Sequence, residues 1–146
     1  MCGITGFIEI RERSKALDML KNMSKAIGYR GPDSSGHWYD YNTGVGLAHR
    51  RLSILDLTET GAQPMISKSG QYVIVFNGEI YNHNIIRSEI EESSNSLIEW
   101  EGTSDTETLL AAIEVWGLNF TLTKLTGMFA FALWDKKVNE LFLIRD

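Results

Sequence analysis

The last twenty residues, GMFAFALWDKKVNELFLIRD, constrain the fold of this chain more than any other stretch. They read as two apolar strands joined by a polar turn from Asp135 to Glu140. A strand pair of this kind needs other elements to cover its apolar face. QYVIVF at 71–76 is a second strand signal, short, apolar and rich in β-branched residues, as a buried strand requires. The Asn77-Gly78-Glu79 that follows reads as a turn that stops it. The clearest helix is SDTETLLAAIEVWG. There Ser104 and Glu107 have capping-box spacing, Leu109, Ile113 and Trp116 share a face, and Gly117 ends the run.

Nearer the start, Ile4, Ile8 and Ile10 recur on even positions and predict a strand over 3–10. Ser14 is placed to cap a helix whose face carries Leu17, Leu20, Met23, Ala26 and Ile27, with Gly28 as its stop. YRGPDSSGHW is loop by composition, because Gly31, Pro32, Asp33 and Gly36 cannot sustain a helix. GVGLAHRRLSIL reads as a strand running into a loop. Strands therefore dominate both ends and helices fill the middle, which predicts an α+β or layered α/β/α arrangement. The 146 residues suffice for one domain with a real core.

Composition narrows the function. A net charge of -5 lacks the basic footprint of a nucleic-acid binder. No stretch reaches the length of a membrane span, and no basic region followed by an apolar run marks a secretory signal, so a cytoplasmic setting is expected. The single cysteine can form neither an internal disulfide nor a thiolate zinc cluster, and no metal is expected.

That cysteine is Cys2, directly behind the initiator methionine. Removal of Met1 would leave Cys2 with a free α-amine beside its own thiol. An α-amine titrates near ~8, so it can be neutral and accept the thiol proton. One residue would then supply nucleophile and base. Taken alone, the position is more often that of an incidental cysteine near a start codon. Further along, however, RGPDSSG (30–36), LAHRRLSILD (47–56), GAQPM (61–65), NGEIYNH (77–83) and SDTE (104–107) occur in that order. With the N-terminal Cys-Gly, these motifs closely resemble the glutaminase domain of class II glutamine amidotransferases, the N-terminal nucleophile hydrolases. Within them the chain is most similar to the asparagine synthetases, over its whole length.

The resemblance implies an α+β fold, a four-layer αββα N-terminal nucleophile hydrolase sandwich. It implies that Cys2 attacks the side-chain amide of L-glutamine, giving glutamate and ammonia. Asn77 and Gly78 match the oxyanion hole, although Asn-Gly by itself is a common hairpin turn. Arg51 matches the arginine that holds the substrate α-carboxylate, a task suited to a guanidinium fork. Its neighbour Arg50 would point the other way on a strand. Backbone groups of Leu52, Ser53, Ile54 and Leu55 would line the same pocket. Asp105 matches the acid that binds the α-ammonium, and Glu79 is implied nearby. Arg30 and Asp33 are expected to order the loop over the site. His37, His49 and His83 are expected to be structural, and the four tryptophans to serve the core or an interface.

The resemblance also implies partners: a synthetase domain in cis that uses ATP and Mg, neither of which this chain would bind itself, while a homodimer is left open. Because the sequence stops within a strand, the domain over 1–146 is expected to be truncated, incomplete at its C-terminal end and lacking the synthetase domain. Alternatives stay open: a sibling amidotransferase with another ammonia acceptor, a non-catalytic relative, or an inactive truncated one.

Overall fold

The computed structural model describes residues 2–8, 13–52, 59–93 and 98–146, and among these the strands fall into two antiparallel sheets. The first has the order β1-β3-β2, from β1 (Gly3–Phe7), β2 (Ser34–Tyr39) and β3 (Gly46–Arg51). The second has the order β4-β5-β6-β7, from β4 (Met65–Ile66), β5 (Tyr72–Ile80), β6 (Gly127–Asp135) and β7 (Glu140–Arg145). Helix α1 (Ala16–Ala26) packs on the first sheet. On the second lie α2 (His83–Ser93) and α3 (Asp105–Trp116), with α4 (Leu118–Lys124) against α3. The layers run α, β, β, α, as expected.

Strand alternation builds two cores from one strand. On β5, Val73 and Val75 face the first sheet and join Val45, Leu47, Ala132 and Trp134 between the sheets. Ile74, Phe76 and Ile80 face the other way and join Ile86, Ile90, Leu109 and Ile113 under the helices. A strand covered on both faces must be apolar throughout, which is why QYVIVF reads as an unbroken run.

Several expectations needed correction. The first strand ends at Phe7 rather than Ile10; Ile8 is 56% exposed, and Ile10 lies outside the described residues. Ser14 does not cap α1 but sits in a 3-10 turn, Arg13–Lys15, that leads into it. The buried stripe of α1 is Ala16, Leu20 and Ser24, whereas Ala26 is exposed. The stretch 34–38, expected to be loop, belongs to β2, because its backbone pairs with β3 from Ser34 opposite Arg51 onward. Glycine is required at 36 in that strand, since a Cβ there would collide with the carbonyl of Gln63.

The largest departure concerns Asn77-Gly78-Glu79. These residues do not turn. β5 continues through them, paired with Ala130, Phe129 and Met128 of β6. Gly78 is needed for close approach: a Cβ would strike the Met128 carbonyl and Phe129. The helices α2 and α4 and the short β4 were not anticipated. The β6–β7 pair matches the expectation, with its turn at Asn139 in the left-handed region at φ 56°. Leu143 of β7 is 76% exposed on the face that elsewhere lies between the sheets.

Candidate active site

A cavity of about 650 Å³ opens at one end of the sandwich, and both sheets and α3 contribute to its wall. Cys2, Arg51 and Leu52 come from the first sheet and its continuation. Asn77, Gly78 and Glu79 come from β5, and Asp105 from the first turn of α3. These are the described members of the set singled out in the sequence. Ser53, Ile54 and Leu55 lie outside the described residues.

Cys2 is half-buried just before β1. The Leu52 N–H donates to its sulfur at 3.4 Å, and the thiol reaches the Leu52 carbonyl at 3.6 Å. Its own carbonyl accepts from Arg30 Nε at 3.2 Å, so Arg30 anchors the Cys2 backbone directly. The Asp33 N–H donates to the Arg51 carbonyl at 3.0 Å, which ties the 30–36 loop to the end of β3. Along β3, His49 and Arg51 share the face turned to the cavity. Arg50 points to the opposite side, where its Nε donates to the Gly31 carbonyl at 3.1 Å.

The edge of β5 is the organising element. In an antiparallel ladder, N–H groups alternate between partner and open side. Those of Phe76, Gly78 and Ile80 turn away from β6 and toward the cavity side. Gln63 Oε1 takes the Phe76 N–H at 2.6 Å, and Asp105 Oδ2 takes the Ile80 N–H at 2.9 Å. The Gly78 N–H lies between them and borders the cavity. The Asn77 side chain projects from the face that carries Val73 and Val75, toward the first sheet; its Oδ1 is buried without a partner among the described residues. Asn77 and Gly78 line the same cavity as Cys2, and a side-chain amide with a backbone N–H is the kind of donor pair that can stabilise an oxyanion.

Two groups that line the cavity titrate abnormally. Burial raises the Asp105 carboxyl above the usual carboxylate range, against the Ile80 N–H, His83 and Thr106, which pull it down. Burial lowers His49 to about 4, with Arg51 acting in the same direction and the Phe76 carbonyl opposing both. His49 is therefore neutral near pH 7, and its Nε2 donates to the Phe76 carbonyl at 3.1 Å. Among the described residues, no group of His, Cys, Asp and Glu is arranged to hold a metal ion.

A profile of the glutamine amidotransferase domain matches residues 1–146. The chain belongs to that family. Over its full length, this amidotransferase domain is 39% identical to "Asparagine synthetase [glutamine-hydrolyzing] 2" of Bacillus subtilis (strain 168), of which it covers 19%. It is 38% identical to asparagine synthetase 3 of the same organism, covering 23% of it, and 35% identical to "Amidase chry2" of Gibberella zeae, covering 22%. The domain thus spans about a fifth of the length of these curated relatives. In fold it is similar to the glutamine phosphoribosylpyrophosphate amidotransferase of B. subtilis solved with ADP and GMP. That likeness has a TM-score of 0.64 at 19% identity and covers 99% of this chain and 36% of the other.

His49, Gln63 and Thr106 also line the cavity, and sequence reading gave them no role in the site. Gln63 lies in the quoted GAQPM and Thr106 in SDTE, so the signal was present but not assigned.

Proposed function

We propose that this chain hydrolyses the side-chain amide of L-glutamine, with Cys2 as nucleophile. The supporting observation is that Cys2, next to the first sheet, and Asn77 and Gly78 of β5 line one cavity. The thiol adds to the amide carbon as its proton passes to the α-amine freed by loss of Met1. Asn77 and Gly78 stabilise the oxyanion. Collapse expels ammonia, which carries the proton away, and leaves a thioester. Water cleaves the thioester, giving glutamate and the restored thiol. Arg51 holds the substrate α-carboxylate and Asp105 its α-ammonium, with Glu79 beside it.

The relatives' names and greater length support a wider role: ammonia made here feeds ATP-dependent synthesis of asparagine from aspartate by a synthetase domain in cis. ATP and Mg act in that domain, and the steps above are complete without them. The amidase among the relatives favours one second reading, transfer of the ammonia to another acceptor. The deciding experiment is Cys2→Ala in the full-length protein. It abolishes glutamate release from glutamine and spares synthesis driven by added ammonia. In active wild-type material, intact mass shows the loss of one methionine. Retained glutaminase activity in the Cys2→Ala protein would overturn the reading.

A further inference from the structure

The β4–β5 ladder stops at Met65 opposite Ile74, yet β5 continues for six residues, of which Phe76, Asn77, Gly78 and Glu79 line the cavity. One side chain takes over where β4 ends. Gln63 Oε1 accepts the Phe76 N–H at 2.6 Å, and its Nε2 donates to Thr106 Oγ1 at 3.3 Å. The Thr106 hydroxyl donates to Asp105 Oδ1 at 3.4 Å, and Asp105 Oδ2 closes the circuit on the Ile80 N–H at 2.9 Å. Both ends of this circuit lie on β5, and Asn77, Gly78 and Glu79 are the residues between them. The Gln63 backbone lies against Gly36 of β2, where any side chain would collide with the Gln63 carbonyl.

We propose that Gln63 is a positioning residue for the glutaminase reaction, joining the oxyanion strand to the carboxylate that receives the substrate amine. The inference rests on the reading of the site given above. The chemistry required is specific. The group must accept from a backbone N–H on one side and donate to a hydroxyl on the other. A primary amide does both, a carboxylate only the first. In Gln63→Glu the Thr106 hydroxyl turns to donate to the new carboxylate and releases Asp105. In Gln63→Leu the Phe76 N–H is left buried and unpaired, and the strand just before Asn77 loses its anchor. Thr106→Val removes the hydroxyl that joins Gln63 Nε2 to Asp105 Oδ1 and leaves the Gln63 Oε1 bond to the Phe76 N–H in place.

The test is steady-state glutamate release from L-glutamine by the full-length protein and these three variants, with thermal unfolding of each. Thr106→Val is expected to raise KM about tenfold, the worth of one hydrogen bond, with kcat within about twofold. Gln63→Glu is expected to raise KM similarly. Gln63→Leu is expected to lower kcat by about tenfold or more as well, and the Gln63→Leu, Thr106→Val double variant to lose less than the product of the single losses. A purely structural Gln63 would lower activity in proportion to folded protein, with KM unchanged in every variant, and that outcome overturns the proposal. So do wild-type kinetics for Thr106→Val, which is isosteric and keeps the test open if Gln63→Leu does not fold. Cys2→Ala measured alongside separates the two levels: its inactivity with normal Gln63 variants refutes only the positioning role, and its full activity refutes the site itself.

Discussion

Asn77 stands on a paired strand and not in a loop, so its backbone is fixed opposite Ala130 of β6. Asn77→Ala is expected to lower kcat by about 100-fold or more, since an oxyanion donor acts mainly in the transition state. KM for glutamine should change far less; a raised KM with unchanged kcat would move Asn77 to ground-state binding. Asp105 gives the pH dependence. Only its ionised form attracts an ammonium group, and its pKa is raised by burial. KM should therefore climb as pH falls, beginning above the usual carboxylate range, and Asp105→Asn should have a high KM with no such limb. Stability moves oppositely. The folded chain binds the proton more tightly than the unfolded one, so this group's contribution falls as pH rises from its unfolded to its folded pKa. Asp105→Asn escapes that loss and is expected to melt no lower than the parent at pH 7, an advantage that shrinks as the pH is lowered through the Asp105 pKa. His49, depressed to about 4, gives the reverse slope in both proteins and drops out of the comparison. Of this site, the sequence motifs pointed to Cys2, Arg51, Asn77, Gly78 and Asp105. They did not point to Gln63, Thr106 or His49 as partners of Phe76 and Asp105, because the need arises from where β4 happens to stop.

Among the elements, α3 was the most legible, and its start is testable. Ser104 Oγ accepts the Glu107 N–H at 3.1 Å, so Ser104→Ala should cost about 1 kcal/mol, or about 2–4 °C in melting temperature. An unchanged melting curve would mean that the cap contributes nothing. The other half of the predicted capping box is absent. Glu107 accepts instead from the Glu101 and Gly102 N–H groups at 2.7 and 3.0 Å and pairs with Arg87 at 3.4 Å, holding the segment that precedes the helix. The local signals for Ser104 and Gly117 were sufficient because a cap is satisfied within its own turn. They misled at Asn77-Gly78, where pairing with β6 overrides turn propensity, and at Ser34–Tyr39, where β3 supplies the partner that composition cannot show. The pattern at the end of the chain was readable since β6 and β7 are neighbours in sequence and in the sheet.

At the scale of the whole molecule, the two cores have separate duties. One fills the space between the sheets, with Leu47 of β3 at 2% exposure; the other fills the space under the helices, with fully buried Leu133 of β6. Truncation of either leucine should cost about 2–5 kcal/mol and unfold the chain at lower temperature. The chemistry divides the pair. Cys2 and Arg51 belong to one sheet's side and Asn77 and Gly78 to the other, so the molecule resembles a caliper whose jaws are the two sheets and whose gap is filled by the inter-sheet side chains. At a temperature where both variants are folded, Leu47→Ala should show a clear loss of kcat, because the jaws settle closer together. Leu133→Ala, which softens only the backing of one jaw, should keep kcat near the parent value. Equal kcat losses in the two would mean that the gap is set elsewhere. For this protein the measure of a good core is then less the depth of its energy well than the width of the opening it maintains, and a substitution harmless to folding can still put the instrument out of calibration.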